Sequence, residues 1–346
     1  MRIWLRAAYS ALILSSPPQV GVSKDGRTKL AKALPQGEGE VSPRPLFAGQ
    51  EKRYACLMPH PLDRIIRELK REPSRTGSIV ITLFGDAIVP RGGAVWLGTL
   101  LEFFETLDID ASVVRTAMSR LTADGWFERS KLGRNSFYRL VKTGRQTFET
   151  ATRHIYDPPP SNWTGRFELL LIGNGEDRDA AREALKNAGF GSPLPGVWIA
   201  PSGVPVPEEA ARAIRLEVSA EDDSGRRLLR ESWPLDRTAG AYQKFMKTFA
   251  PLRAWSERPD ALTEADAFTA RILLIHHYRR VVLRDPLLPD ALLPKDWPGR
   301  PARALCGDIY RALLPKSEQW LDRHGTGEEG PLPKAGSDLA RRFAGN

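Results

Sequence analysis

Residues 112–140, SVVRTAMSRLTADGWFERSKLGRNSFYRL, change their hydrophobic period halfway along. In the first half apolar side chains recur every three or four residues, which predicts an amphipathic helix that Asp110 or Ser112 caps and Gly125 ends. From Trp126 onward the period falls to two, and a turn at residues 133–135 leads into SFYRLV, so a β-hairpin is expected.

The segments on either side of this stretch complete a familiar order of elements. Apolar positions at helical spacing predict helices over residues 78–88 and 94–107, and Thr143 begins another that ends before the prolines at 158–160. Three helices followed by a hairpin are typical of a winged helix-turn-helix, which we place at residues 58–157.

The third of these helices has two unlike faces. One apolar stripe is expected to pack on the first two helices: Val113, Val114, Ala117, Met118 and Leu121. The opposite face carries side chains suited to phosphate oxygens and base edges: Ser112, Arg115, Thr116, Ser119 and Arg120. These five residues are therefore predicted to contact DNA.

The predicted wing is basic as well. Arg134 and Asn135 at its tip are expected to reach a neighbouring groove, and its strands add further candidates for backbone contact: Arg129, Lys131 and Arg139. Between residues 111 and 145 there are eight basic and two acidic side chains. A solvated surface usually mixes signs, so this segment favours nucleic-acid contact over an ordinary charged face.

Beyond the prolines the pattern changes twice. RFELLLIG, GVWIAP and AIRLEVSA are typical of strands, with a helix at DRDAAREALKNAGF and a short one at PEEAAR, which predicts a ferredoxin-like α+β domain over residues 158–232. Residues 233–322 are predicted to be helical, and residues 323–346 to be a flexible tail. The expected class is therefore α+β and multidomain.

Composition narrows the possible functions. Two cysteines among 346 residues exclude a disulfide framework or a cysteine-rich zinc site, and a net charge of +9 favours polyanionic partners. No apolar run has the roughly 18 residues that cross a bilayer. Residues 1–57 are interpreted as a disordered extension or a mis-assigned start, in preference to an export signal, because a DNA-binding protein acts in the cytoplasm.

Several motifs together resemble the PaaX family, repressors of phenylacetate catabolism. They are FGDAIVPRGGAVWLGTLLEFF, VVRTAMSRLTADGW, GRNSFYRL, LPGVWIAP, LLIHHYRRVVLRDPLLP and DWPGRPARALCGDIYRAL. The resemblance runs from about Ser74 to Leu321. It implies a dimeric repressor that leaves its DNA operator when phenylacetyl-coenzyme A or a related thioester binds.

The helix around LLIHHYRRVVLR is open to two interpretations. It is either a core helix whose basic residues pair with carboxylates such as Asp285, or a ligand or dimer surface where arginines bind the phosphates of an acyl-coenzyme A. The candidate ligand residues are Arg271, His276, His277, Tyr278, Arg279, Arg280 and Arg284. His276 and His277 point about 100° apart on a helix, which argues against a shared metal.

Catalysis finds little support in the sequence. There is no nucleophile elbow, phosphate-binding loop or zinc-protease motif. The ferredoxin-like part is similar to small CRISPR-associated nucleases, but its first strand ends in Gly173-Asn174-Gly175, and Asp177 lies a few residues on. We therefore expect a non-enzymatic regulator without cofactor or metal. The alternatives are a nucleic-acid-processing enzyme and a non-specific architectural DNA-binding protein.

Overall fold

The computed structural model describes residues 61–71, 76–158, 163–173, 178–219, 223–258 and 261–344. Helices and antiparallel sheets alternate along this part of the chain, so the expected α+β class is confirmed. Residues 1–57 and Asp177, on which two predictions fall, lie outside the described residues.

The first part of the chain combines helices with a small sheet. Its elements are α1 (Pro61–Arg71), α2 (Thr76–Leu83), a π-helical turn (Phe84–Ile88), a 3₁₀ turn (Val89–Arg91), β1 (Ala94–Trp96), α3 (Leu97–Glu105), α4 (Ala111–Ala123), β2 (Phe127–Leu132), β3 (Asn135–Leu140) and α5 (Lys142–Tyr156). The predicted helix over residues 94–107 is shorter, because its first three residues pair with β3 as β1. The sheet has the order β1-β3-β2 and is antiparallel throughout.

The central part forms a separate sheet. Its elements are β4 (Arg166–Leu171), α6 (Arg178–Asn187), β5 (Gly191–Leu194), β6 (Val197–Pro201), a 3₁₀ turn (Glu208–Ala210) and β7 (Ile214–Ser219). The strands lie in the order β5-β6-β4-β7, and neighbours are antiparallel. PEEAAR was predicted to be a short helix, but only one 3₁₀ turn forms there.

Long helices dominate the last part. They are α7 (Asp223–Ser232), α8 (Leu235–Ser256), α9 (Glu264–Val282) and α10 (Gly299–His324), with a 3₁₀ turn (Asp290–Leu292) before α10. The Thr263 hydroxyl accepts a hydrogen bond from the Asp266 backbone N–H, and the Asp266 carboxylate accepts one from the Thr263 backbone N–H, so both members of a capping box are present at the start of α9. None of the helices in the described part of the chain combines the length and hydrophobicity needed to cross a bilayer.

The chain is folded from the end of α10 to residue 344, which corrects the predicted flexible tail. After α10 come the short hairpin β8 (Thr326–Gly327) and β9 (Gly330–Pro331) and a 3₁₀ turn (Ser337–Leu339). Phe343 is completely buried, and its ring packs against Tyr156, Tyr278 and Tyr310. The sequence offered no periodicity here because the anchoring residues are single side chains separated by turns.

One hydrophobic core joins the first and last parts of the chain. Residues of the π-helical turn and of α3, such as Phe84 and Phe103, belong to the same buried cluster as Phe268 and Trp320 of the long helices. The face of the central sheet under α6 has a smaller core of its own, around Leu170 and Trp198. The basic segment is thus carried on a scaffold that includes the C-terminal helices.

Candidate DNA-binding surface

Helix α4 begins and packs as its sequence requires. The Asp110 carboxylate accepts a hydrogen bond of 2.7 Å from the Ser112 backbone N–H and caps the helix. Hydrogen bonding from the side chain and then the backbone of Ser112 lowers the pKa of Asp110. Val114, Met118 and Leu121 are buried. The five side chains predicted to face DNA are all exposed: Ser112, Arg115, Thr116, Ser119 and Arg120. They share one face, because their spacings are those of successive helical turns.

Val113 was predicted to belong to the buried stripe, and that prediction is wrong. Its side chain is 47% exposed. The buried residues of α4 are Val114, Met118 and Leu121. Val113 lies about 100° from Val114 around the helix axis, so it falls outside this narrow stripe. An apolar group therefore lies beside the exposed polar face of α4.

The hairpin β2–β3 presents a second set of cations. Its register runs from Phe127 opposite Leu140 to Leu132 opposite Asn135, and Gly133 in the tight turn adopts a φ of 61°. The predicted contact residues of β2 and the turn are exposed: Arg129, Lys131, Arg134 and Asn135. Arg129 donates bonds of 2.7 and 3.2 Å to Ser136 Oγ across the hairpin, which holds its guanidinium in place.

Arg139 differs from the other candidates because a carboxylate already binds it. Its side chain is 37% exposed, and its guanidinium donates to Glu328 Oε2 at 2.6 Å. Ser130 Oγ donates to the other oxygen of the same carboxylate at 2.5 Å. Glu328 lies in the turn between β8 and β9, and these two bonds lower its pKa. No sequence signal pointed to Glu328, because nothing local relates it to β2 and β3.

Besides Arg129, which bonds the Ser136 hydroxyl, four cations of this surface have no carboxylate partner in the described part of the chain. Within the described residues, no carboxylate forms an ion pair with Arg115, Arg120, Lys131 or Arg134. Cations on one helix face and on an adjoining hairpin attract polyanions, since no ion pair in that part of the chain neutralises them. We call these four residues, together with the exposed polar face of α4, the basic surface.

The candidate ligand residues of α9 mostly occupy the protein core, which corrects their interpretation as a ligand surface. Arg271, His276, Tyr278 and Arg279 are buried, His277 and Arg280 are half-buried, and Arg284 is exposed. Neighbouring helices cover α9 on several sides, with its closest packing against α10, α2 and α8. A helix with apolar residues around most of its circumference is a core helix.

The core interpretation had named Asp285 as a partner, yet the carboxylates that bind Arg271 are others. Arg271 donates to Asp86 Oδ2 at 2.7 Å and to Glu318 Oε1 at 2.5 Å. Burial lowers the pKa of Arg271, but the attraction of Asp86, Tyr310 and Glu318 raises it on balance. Asp285 instead accepts a bond from Tyr242.

Further along α9, two more of these side chains bind α2. Arg279 donates to Ser78 and Thr82, and His276 Nδ1 lies 3.0 Å from Thr82 Oγ1. Burial lowers the pKa of both Arg279 and His276, and their mutual repulsion lowers that of His276 further. These contacts fix α2 on the C-terminal helices.

Neither a reactive cysteine nor a metal-binding cluster is found in the described part of the chain. Cys306 is completely buried in α10, and burial raises the pKa of its thiol well above the usual value, which suppresses the reactive thiolate. In the described part of the chain, no three His, Cys, Asp or Glu side chains are grouped as a metal site would require.

Comparison with known proteins finds family matches in two segments of the chain. A family model described as PaaX-like protein matches residues 75–144, and one described as PaaX-like protein C-terminal domain matches residues 233–323. The chain is 36% identical over 284 residues to "Transcriptional repressor PaaX" of Escherichia coli (strain K12), an alignment that covers 78% of this chain and 90% of the relative.

A solved structure is also similar to the chain. It is the uncharacterized protein Rv0674 from Mycobacterium tuberculosis, at 24% identity and a TM-score of 0.45, with 64% of this chain and 89% of that chain covered.

Proposed function

Because the chain belongs to the PaaX family, we propose that it is a transcriptional repressor that binds an operator through the basic surface. The observation that carries the proposal is the set of exposed cations without carboxylate partners on α4 and the hairpin. The relative is a regulator by name, and the expectation that the chain is not an enzyme is confirmed.

The part from α2 to β3 acts in this proposal as a winged helix-turn-helix. The order of elements supports it: α3, a short turn and α4 form the helix pair, and β2–β3 forms the wing. Helix α4 enters the major groove, where Arg115 and Arg120 reach guanine or phosphate, and the exposed Val113 suits a thymine methyl group. The wing tip at Arg134 and Asn135 follows the neighbouring backbone.

We propose three domains for the chain. We assign residues 58–157 to the DNA-binding domain, 158–232 to a ferredoxin-like domain and 233–322 to a helical domain that responds to the effector. The strand order β5-β6-β4-β7 supports the ferredoxin-like assignment, although a 3₁₀ turn replaces its second helix. Because the protein binds DNA in this proposal, it acts in the cytoplasm.

The regulated genes in this proposal are those of phenylacetate catabolism, and the effector that releases the operator is phenylacetyl-coenzyme A. Both follow from membership of the family. The continuous core between the basic surface and the C-terminal helices supports this step, since a change among those helices reaches α2 and α3 through packed side chains.

The repressor acts as a homodimer, and strand β7 supports one arrangement. β7 lies at the sheet edge, and its Ile214 and Leu216 are 63% and 47% exposed. In an antiparallel pairing with a second copy centred on Leu216, Arg215 would lie opposite Glu217. Light scattering would test this: Leu216→Asp should give monomers, whereas Leu194→Asp, at the other sheet edge, should not.

An electrophoretic shift assay tests the main proposal. The protein should bind the DNA upstream of its own gene more tightly than random DNA, and contact with six phosphates would give a slope of roughly −5 in log K against log salt. Phenylacetyl-coenzyme A should release the complex and phenylacetate should not. Equal protection of both DNAs would favour an architectural protein, and a flat salt response would overturn DNA binding by the basic surface.

A further inference from the structure

A cavity of about 460 Å³ lies where the end of α5, the end of α9 and the start of α10 meet. Its wall is mainly apolar and includes three aromatic side chains, Tyr242, Tyr278 and Trp297. Most of the residues around it come from two of the motifs that stood out in the sequence, LLIHHYRRVVLRDPLLP and DWPGRPARAL, and the others come from the end of α5, from α8 and from the loop before α10. A cavity of this size and character suits a small apolar ligand.

Two polar atoms of the lining side chains point to what a ligand must supply. Within the described part of the chain, Arg303 Nε and His154 Nε2 are buried and have no hydrogen-bond partner. The Arg303 N–H is a donor, so it requires an acceptor oxygen. Leaving such a donor buried and unpaired is unfavourable, and a ligand oxygen would satisfy it.

The wall opposite α5 is held in an unusual conformation. Leu287, which lines the cavity, has a φ of 48°, which side chains other than glycine rarely adopt. The Asp285 carboxylate fixes this bend, because it accepts bonds from the Leu287 backbone N–H at 2.9 Å and from the Tyr242 hydroxyl at 2.7 Å. Strain of this kind is commonly found at ligand sites.

We infer that this cavity binds the acyl end of the effector, an aromatic ring followed by a carbonyl oxygen. The ring would lie among Tyr242, Tyr278 and Trp297, and the carbonyl oxygen would accept from Arg303 Nε. The cavity is too small for the whole of coenzyme A, so the thioester would leave through its open side. The identity of the effector rests on the proposed function, and the location rests on the cavity.

Arg303 also connects the cavity to the basic surface. Its guanidinium donates to the carbonyl oxygens of Tyr156 at 2.7 Å and Ile155 at 3.4 Å, in the last turn of α5. Helix α5 begins two residues after β3, the inner strand of the wing. A ligand oxygen on Arg303 would draw the guanidinium away from these carbonyls and alter the support of α5.

Calorimetric titration of the full chain tests the site, with operator release followed in parallel by fluorescence anisotropy. The probes are phenylacetyl-coenzyme A, acetyl-coenzyme A and phenylacetate. Ala304→Phe fills the cavity from α10 and should weaken binding of phenylacetyl-coenzyme A by about tenfold or more. Ala180→Phe, at a half-buried alanine of α6, is the matched control and should bind as the wild type does.

The outcomes separate the site from the proposed function. Loss of thioester binding in Ala304→Phe with operator binding intact supports the site. Unchanged binding in Ala304→Phe, or acetyl-coenzyme A binding as tightly as the aromatic thioester, overturns the site and leaves the repressor standing. A wild type that binds the operator but none of the three probes overturns both the effector and the site. If Ala304→Phe lowers the melting temperature of the protein, Leu293→Trp, in the loop before α10, takes its place as the variant that fills the cavity.

Discussion

Arg271 of α9 and Asp86 of the π-helical turn form an ion pair of 2.7 Å in which both side chains are fully buried. Asp86 also accepts bonds from Tyr156 of α5, Tyr310 of α10 and Arg342 of the chain end. One carboxylate therefore ties the DNA-binding part to three other elements. Burying this carboxylate without partners would be costly, and the surrounding donors offset that cost.

Asp86→Ala should destabilise the protein by about 3–5 kcal/mol, because it leaves Arg271 and Arg342 buried without this partner. Urea denaturation followed by circular dichroism measures the change. Asp338→Ala is the control, since Asp338 pairs with Arg341 in the open and should contribute less than about 1 kcal/mol. Similar losses in both variants would contradict a buried network.

The local elements could be predicted from the sequence, whereas this network could not. Helix α4 and the hairpin have strong periods and a capping aspartate, so residues 111–140 folded as expected. β1 was missed because Ala94-Val95-Trp96 fits a helical stripe equally well, and only its pairing with β3 decides. Arg271 was proposed as a ligand residue because a sequence cannot show that Asp86, 185 residues away, neutralises it.

Arg115→Ala should weaken operator binding by about 1–3 kcal/mol if Arg115 contacts a base pair, because the variant loses a bidentate contact on the exposed face of α4. Fluorescence anisotropy with a labelled operator measures it. Arg182→Ala removes another exposed arginine, on α6, and should leave affinity unchanged. A comparable loss in Arg182→Ala would mean that net charge alone governs binding.

Lys131→Ala should weaken binding to operator and random DNA to the same extent, because a lysine on the wing contacts phosphates and not bases. The slope of log K against log salt should fall by about 1. Shift assays at several salt concentrations provide the slope. A selective loss for the operator would instead assign base recognition to the wing.

Glu328→Gln should strengthen DNA binding at low salt, because the charge that holds Arg139 is removed and the arginine becomes available to phosphate. Glu329→Gln removes the same charge from the exposed neighbouring residue and should have a smaller effect. Since hydrogen bonds from Ser130 and Arg139 lower the pKa of Glu328, the pair persists at neutral pH. Its stabilisation is lost only as the pH falls below the usual carboxyl range and through that lowered pKa.

Phe343→Ala should destabilise the protein by about 3–5 kcal/mol, because it empties a fully buried site among Tyr156, Tyr278 and Tyr310. The cation of Arg303 lies over the same ring at 5.3 Å and would lose that contact as well. Urea denaturation gives the free energy of unfolding, and the exposed Leu132→Ala is the control, with a change within about 0.5 kcal/mol. A free energy of unfolding equal to that of the wild type would contradict a chain end that is part of the core. It would also mean that Phe343 does not help to hold Arg342 beside Asp86.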